Sequence, residues 1–193
     1  DKNNVLRQDQ GQKQVCDHLG QVLTEKEFSD VEVHCDEMVF PCHQVILAAR
    51  SPVFRAMLQA EMKEKQTRKI VLEDTKPEIV TEMLSFIYTG DIPNEKLDAI
   101  ASDLLGISDK YQLDYLKRMC EDNLCSTLKV DNSLEYLVLG DLHNASKLKK
   151  TALDLIAKNM SKIVDTDVYK DLLIHRPLLA WEVSKVKVQV DDV

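Results

Sequence analysis

Strand-type patterning is confined to three short runs of this chain, and all other periodicity repeats at the helical interval. Val31, Val33 and Cys35 alternate with Glu32 and His34. After Asp36-Glu37 comes a second apolar run, Met38-Val39-Phe40, and Ile70 with Leu72 marks a third within 69–73. Period two places alternate side chains on opposite faces of a sheet. The first two runs therefore read as a hairpin, with Pro41 closing it. Three short strands bury too little by themselves, so helices must cover them. The expected fold class is α/β, mainly helical, with a small three-stranded sheet flanked by helices.

The helical segments follow from spacing and punctuation. Val15, Leu19 and Val22 stand at i, i+4 and i+7, one stripe on a helix of about two and a half turns. Residues 1–14 are polar and read as a linker or tail whose abrupt start suggests a piece of a longer protein. A short apolar helix covers 44–50; Ser51-Pro52 then supplies an N-cap and a first-turn proline for the next, with Val53, Phe54, Met57 and Leu58 inward. Pro77 opens another, in which Ile79, Met83 and Ile87 recur every four residues until Gly90 and Pro93 end it. Helices are expected over 97–108 and 111–124. From Leu128 onward every periodic segment is helical and no strand pattern returns. The divisions expected are a tail at 1–14, an α/β domain at 15–127, a helical annex at 128–187 and a tail at 188–193.

Charge and cysteine usage narrow the function classes. Against 25 Lys and Arg stand 33 Asp and Glu, a net charge of −8, which argues against nucleic acid as the main partner because phosphate binding needs a basic face. No apolar run reaches membrane-spanning length. Five cysteines, mostly inside apolar stretches, read as reduced thiols in an intracellular protein, in the cytoplasm or the nucleus. His34, Cys35, Cys42 and His43 lie close in sequence, yet neighbours on a strand point to opposite faces and cannot converge on zinc. Cys120 and Cys125 stand about 140° apart around a helix. There is no nucleophile elbow, Gly-rich phosphate loop or HExxH. The expectation is a non-enzymatic chain with no metal and no cofactor.

The stretch Phe28-Ser-Asp-Val, then Phe40-x-x-His43-x-x-x-Leu47-Ala-Ala-Arg-Ser51-Pro-Val-Phe54, and later Phe86-Ile-Tyr88-Thr-Gly90, resembles the BTB/POZ family. Met119-Cys-Glu-Asp122 and Asp141-Leu-His143 narrow the resemblance to its MATH–BTB branch. It implies a BTB/POZ domain over 15–127 followed by a BACK-like helical segment over 128–187. It also implies a substrate-binding MATH domain ahead of this region, which this chain does not contain.

The resemblance implies two surfaces. Val15, Leu19, Val22 and Ile46 match the family's homodimer contacts. Two-fold pairing buries each of them twice, a gross gain of order 10 kcal/mol at ~25 cal/mol per Å², with association entropy taking back a comparable amount. Met62 and Glu64, in the charged loop after the 53–60 helix, match the hydrophobic-x-Glu motif that meets the N-terminal domain of cullin-3. The function implied is a homodimeric adaptor of a cullin-3 ubiquitin ligase, with substrates held by the absent MATH domain. Transcription-repressor BTB domains pair an Asp like Asp30 with a basic residue after the His. Here that place holds Gln44, which disfavours the rival reading as a regulator recruiting corepressors and leaves Asp30 a capping or local hydrogen-bonding group. A channel tetramerisation domain is disfavoured by the annex.

Overall fold

A computed structural model describes residues 2–59 and 63–191, with side-chain surroundings given for 10–59, 64 and 66–185. The chain divides into two compact units, Asp1–Leu116 and Lys117–Val193.

The first unit opens with helix α1 (Lys2–Glu25), much longer than the apolar stripe alone suggests. The stretch read as a polar tail has helical backbone from Lys2 onward. Gln, Lys, Arg and Asn form helix acceptably, so a polar composition does not mean absence of structure; residues 10–14 are exposed.

Strands β1 (Val31–Cys35) and β2 (Met38–Cys42) form an antiparallel hairpin with Val33 opposite Phe40 and Cys35 opposite Met38. Asp36 takes φ 48° in the two-residue turn, a conformation Asp tolerates. Pro41 does not end the hairpin: β2 runs on to Cys42, and proline is accommodated because β2 is an edge strand. After α2 (Gln44–Arg50), α3 (Pro52–Gln59) and α4 (Lys63–Thr67), strand β3 (Lys69–Val71) pairs parallel to β1, giving the sheet order β2-β1-β3. Val31, Val33, Cys35, Ile70 and Leu72 are buried.

Ser51 caps α3 as its sequence implies: its hydroxyl accepts from Phe54 N–H at 3.1 Å and donates to the Tyr111 carbonyl at 2.7 Å. Helix α5 (Pro77–Thr89) starts on its proline and ends at Gly90, whose N–H still reaches the Phe86 carbonyl at 2.7 Å and whose φ of 77° then turns the chain out of the helix. It is largely buried, with Ile79, Met83, Phe86 and Ile87 inward. Helix α6 (Asn94–Lys110) is longer at both ends than its apolar stripe.

Helix α7 (Asp114–Ser126) carries the chain from one unit into the other. The second unit holds α8 (Ser133–Leu142), α9 (Ser146–Lys158), α10 (Met160–Ile163), α11 (Asp167–His175) and α12 (Pro177–Asp191). Its start at 117 precedes the division expected at 127/128. The last turns of α7 serve this unit: the Glu121 carboxylate accepts from the N–H groups of Lys147 and Leu148 at 3.0 and 3.3 Å, capping α9. Leu137, Ala152, Ile156, Leu172, Leu179 and Val183 belong to one buried cluster. Buried Gly140 lets α8 lie against the backbone of α9. Lys149 on α9 pairs with Asp141 on α8 at 2.8 Å and with Glu182 on α12 at 2.9 Å.

Candidate interaction surfaces

The α1 stripe reaches a groove made with α2 and the end of α5. Leu19 and Ile46, two of the four expected dimer residues, line it together with Cys16, Val45 and Ala49. Val15 and Val22 lie one turn to either side of Leu19 on the same helix face. Val15 is 57% exposed, while Leu19, Val22 and Ile46 are half-buried. Val45 is 75% exposed and was not singled out, because at the start of a short apolar run no periodicity separates its outward position from its neighbours. Gly20 faces α5: a Cβ there would stand 3.0 Å from the Thr89 methyl. Arg50 closes the groove's far end, its Nε donating to the Ile87 carbonyl at 3.0 Å in the last turn of α5.

Behind this groove sits a buried polar cluster. The Tyr88 hydroxyl accepts from His43 N–H at 2.9 Å and lies 2.8 Å from His43 Nδ1. His43 Nε2 lies 2.7 Å from the Glu27 carbonyl, an atom that can only accept. The proton is therefore assigned to Nε2, and in the neutral ring Tyr88 donates to Nδ1. His43 is thus a core-edge histidine joining the end of α1, the sheet and α5. Burial pushes the neighbouring Cys42 thiol up to about 12 and raises the Tyr88 phenol well above its ordinary value. The Asp30 carboxylate accepts from Gln44 N–H at 2.8 Å, while the Gln44 side-chain amide donates to the Asp30 carbonyl at 3.1 Å. Asp30 is a local capping group at the start of α2.

Met62 of the hydrophobic-x-Glu pair lies outside the described residues. Glu64 is in the first turn of α4 and half-buried. The region read as a charged loop is therefore helical over 63–67. Its charges hid this from pattern reading, since a helix of little more than one turn needs no apolar stripe.

The candidate metal ligands are taken up elsewhere. His34 Nε2 meets Glu32 at 2.8 Å on the outer face, while Cys35 points inward and donates to the Thr75 carbonyl at 3.0 Å. Burial raises the Cys35 thiol, and the charges of Asp36 and Glu78 add to the effect. Cys120 is buried, its thiol pushed up to about 12, and Cys125 Sγ lies 3.8 Å from the Thr151 hydroxyl. Among the described residues no three His, Cys, Asp or Glu side chains converge. None of their helices is long and apolar enough to cross a membrane.

The second unit exposes apolar side chains that periodicity did not flag. Ile174 is 72% exposed, Leu178 79% and Trp181 56%, the last with Lys185 Nζ 3.4 Å from its ring centroid. The signal was present in Leu172-Leu173-Ile174, since three consecutive apolar residues cannot share one helix stripe. Leu172 turns inward and the other two outward.

Comparison with known proteins matches this architecture. Two mouse proteins, TD and POZ domain-containing protein 1 and TD and POZ domain-containing protein 1-like, are each 42% identical over 166 residues, 86% of this chain. The chain spans 46% of the length of each. The BTB domain of zebrafish PATZ1 shares the fold, with a TM-score of 0.50 over 59% of this chain and 91% of that one at 18% identity. The family model for the BTB/POZ domain matches residues 19–128, more than half of the sequence. A three-stranded sheet flanked by helices, an apolar groove built on α1 and α2, and this match agree: the chain belongs to the BTB/POZ domain family, whose members are protein-interaction modules.

Proposed function

We propose that this chain is the homodimeric BTB and BACK-like part of a MATH–BTB substrate adaptor for a cullin-3 ubiquitin ligase. The observation that carries the proposal is the groove holding Leu19 and Ile46. Its apolar walls stay open at the surface beside Val15 and Val45, as a self-associating face requires. Cullin-3 is assigned to the Met62-x-Glu64 motif, where a Met anchor fills a partner's pocket and the carboxylate fixes the register. Among the described residues Glu64 does not line the groove. The mouse relatives are named for a TD domain beside the POZ domain, and this chain spans 46% of their length, which is compatible with a further domain elsewhere in the protein. The alternative reading, a BTB dimerisation module of a transcriptional regulator, is served equally by this fold; what speaks for the adaptor is Gln44 standing where a repressor-type pair has a basic residue.

The test is calorimetric titration of the parent, Met62→Ala and Glu64→Lys with the cullin-3 N-terminal domain at matched salt. Truncating a buried Met anchor should weaken binding ten- to hundred-fold, about 1–3 kcal/mol. Reversing Glu64 should slow association as well as speed release. Unchanged affinity in both variants removes this motif from the contact. No binding by the parent overturns the adaptor reading.

A further inference from the structure

A polar pocket at the start of the sheet stands apart from the groove. Ser29, Asp30 and Glu32 line it on the β1 side, Pro41 on the β2 side, and Thr67, Arg68 and Lys69 at the entry to β3, around about 320 Å³. Its two carboxylates are committed elsewhere. Asp30 holds the Gln44 N–H at 2.8 Å, and Glu32 meets His34 Nε2 at 2.8 Å. Its two cations are not. Lys69 Nζ stands 3.8 Å from Glu32, and the Arg68 guanidinium has no ion pair or hydrogen bond among the described residues. The Arg68 backbone is nevertheless held in place: its φ is 56°, and its carbonyl takes the Glu32 N–H at 2.9 Å.

Ser29 shares the pocket with these cations. Residues 24–30 are all exposed, Phe28 at 90%, so an enzyme can reach the segment in the folded chain. The Ser29 hydroxyl has no hydrogen-bond partner among the described residues. Carboxylates follow it at the first and third positions, Asp30 and Glu32, a pattern that a kinase with a basic substrate groove selects by charge complementarity. Thr24 has the same pattern in Glu25 and Glu27, but its hydroxyl is tied to the Gly20 carbonyl at 3.0 Å within α1. A phosphate on Ser29 carries close to two negative charges and three acceptor oxygens, which Arg68 and Lys69 can take up in the same pocket.

We infer that Ser29 is a phosphorylation site whose phosphate is held by Arg68 and Lys69. A protein kinase transfers the γ-phosphoryl group of a nucleoside triphosphate to Ser29 Oγ; the hydroxyl proton passes to the kinase's base and the nucleoside diphosphate leaves. The modified side chain then joins the start of β1 to the start of β3, whose parallel pairing runs only from Glu32 opposite Lys69 to His34 opposite Val71. The inference is independent of the dimer and of cullin-3.

The test incubates the folded chain with magnesium, ATP and a serine kinase selective for carboxylates at those two positions, with a peptide spanning Ser29 as its positive control. Mass spectrometry should place a phosphate on Ser29 in the parent, and Glu32→Gln should slow its incorporation several-fold. The phosphate is then titrated by phosphorus NMR in the parent and in a variant carrying Arg68→Asn and Lys69→Gln; Asn accepts the left-handed backbone at 68. Removing both cations should raise the midpoint, ordinarily near about 6, by about half a pH unit. Hydrogen exchange of the Glu32 amide should slow several-fold on phosphorylation of the parent and stay unchanged in the double variant. Modification of the peptide but not of Ser29 in the folded chain overturns the site. A phosphorylated Ser29 whose midpoint and Glu32 exchange are alike in parent and double variant overturns the role of Arg68 and Lys69.

Discussion

Gly140→Ala tests the packing of the second unit most sharply. A Cβ at this position would stand 2.7 Å from Lys149 N and 3.0 Å from Lys149 Cα, inside the 3.4 Å at which ordinary contact begins. Both atoms are main chain within α9, so no rotamer change relieves the clash and α8 must move away. Overpacking of this kind costs about 3 kcal/mol at the upper end of its usual range. Alanine's better helix propensity returns about 1 kcal/mol. The net loss is then about 2 kcal/mol, or a midpoint lowered by about 4–8 °C. Separation of the helices also pulls Lys149 from Asp141, so that ion pair loosens while the one to Glu182 on α12 can persist. Trp181, the single tryptophan, lies in this unit and reports its thermal unfolding by fluorescence. Gly11→Ala is the reference: nothing lies within 4 Å of its added Cβ, so α1 should gain up to about 1 kcal/mol. A Gly140→Ala midpoint equal to or above the parent's would refute the close approach of α8 and α9.

Ser51→Ala should destabilise the first unit by about 1–2 kcal/mol in urea titration, because it removes the α3 cap and leaves the Tyr111 carbonyl short of a donor. A variant carrying Val15→Asp, Leu19→Asp, Val22→Asp and Ile46→Lys should be a folded monomer; a native circular dichroism spectrum with a dimeric mass by light scattering would show that the face is elsewhere. Stability should fall in alkali. The folded state holds the Cys42 and Cys120 protons up to about 12, against an ordinary thiol value of 9.0. Their contribution is whole below pH 9 and is lost as pH rises from there towards 12, at about 1.4 kcal/mol per pH unit for each thiol. Urea midpoints between pH 8 and 10.5 measure the slope, and Cys120→Ala should remove one share of it; an unchanged slope would mean that this thiol ionises alike in both states.

The sheet and the long helices were legible because burial writes itself into spacing: Val31, Val33 and Cys35 on one strand face, and Ile79, Met83 and Ile87 on α5. Caps were legible too, since Ser51, Pro52, Pro77 and Gly90 have few alternative uses. Illegible were the elements that bury little. The first half of α1 and all of α4 are helical without an apolar stripe, and α10 is only four residues long. Of the candidate dimer face, Leu19 and Ile46 were recoverable from resemblance and periodicity. Val45, beside them in the groove, was not, because exposure of a single apolar residue depends on what tertiary neighbours leave uncovered.

The parallel pairing of β3 with β1 has a kinetic consequence. The β1–β2 hairpin closes through a two-residue turn and is a local event on the microsecond scale. Ile70 can meet Val33 only after the chain has passed through β2, α2, α3 and α4, so the third strand closes a long loop whose entropy must be met before any contact rewards it. The sheet is therefore completed in two unequal steps, and the slower depends on helices that contribute no strand to it. In native-state hydrogen exchange, the β1 amides facing β2 should outlast the amide of Leu72, which bonds the His34 carbonyl across the β3 side at 2.8 Å. Whatever loosens α3 or α4 should shorten the lifetime of that bond first, while the hairpin persists.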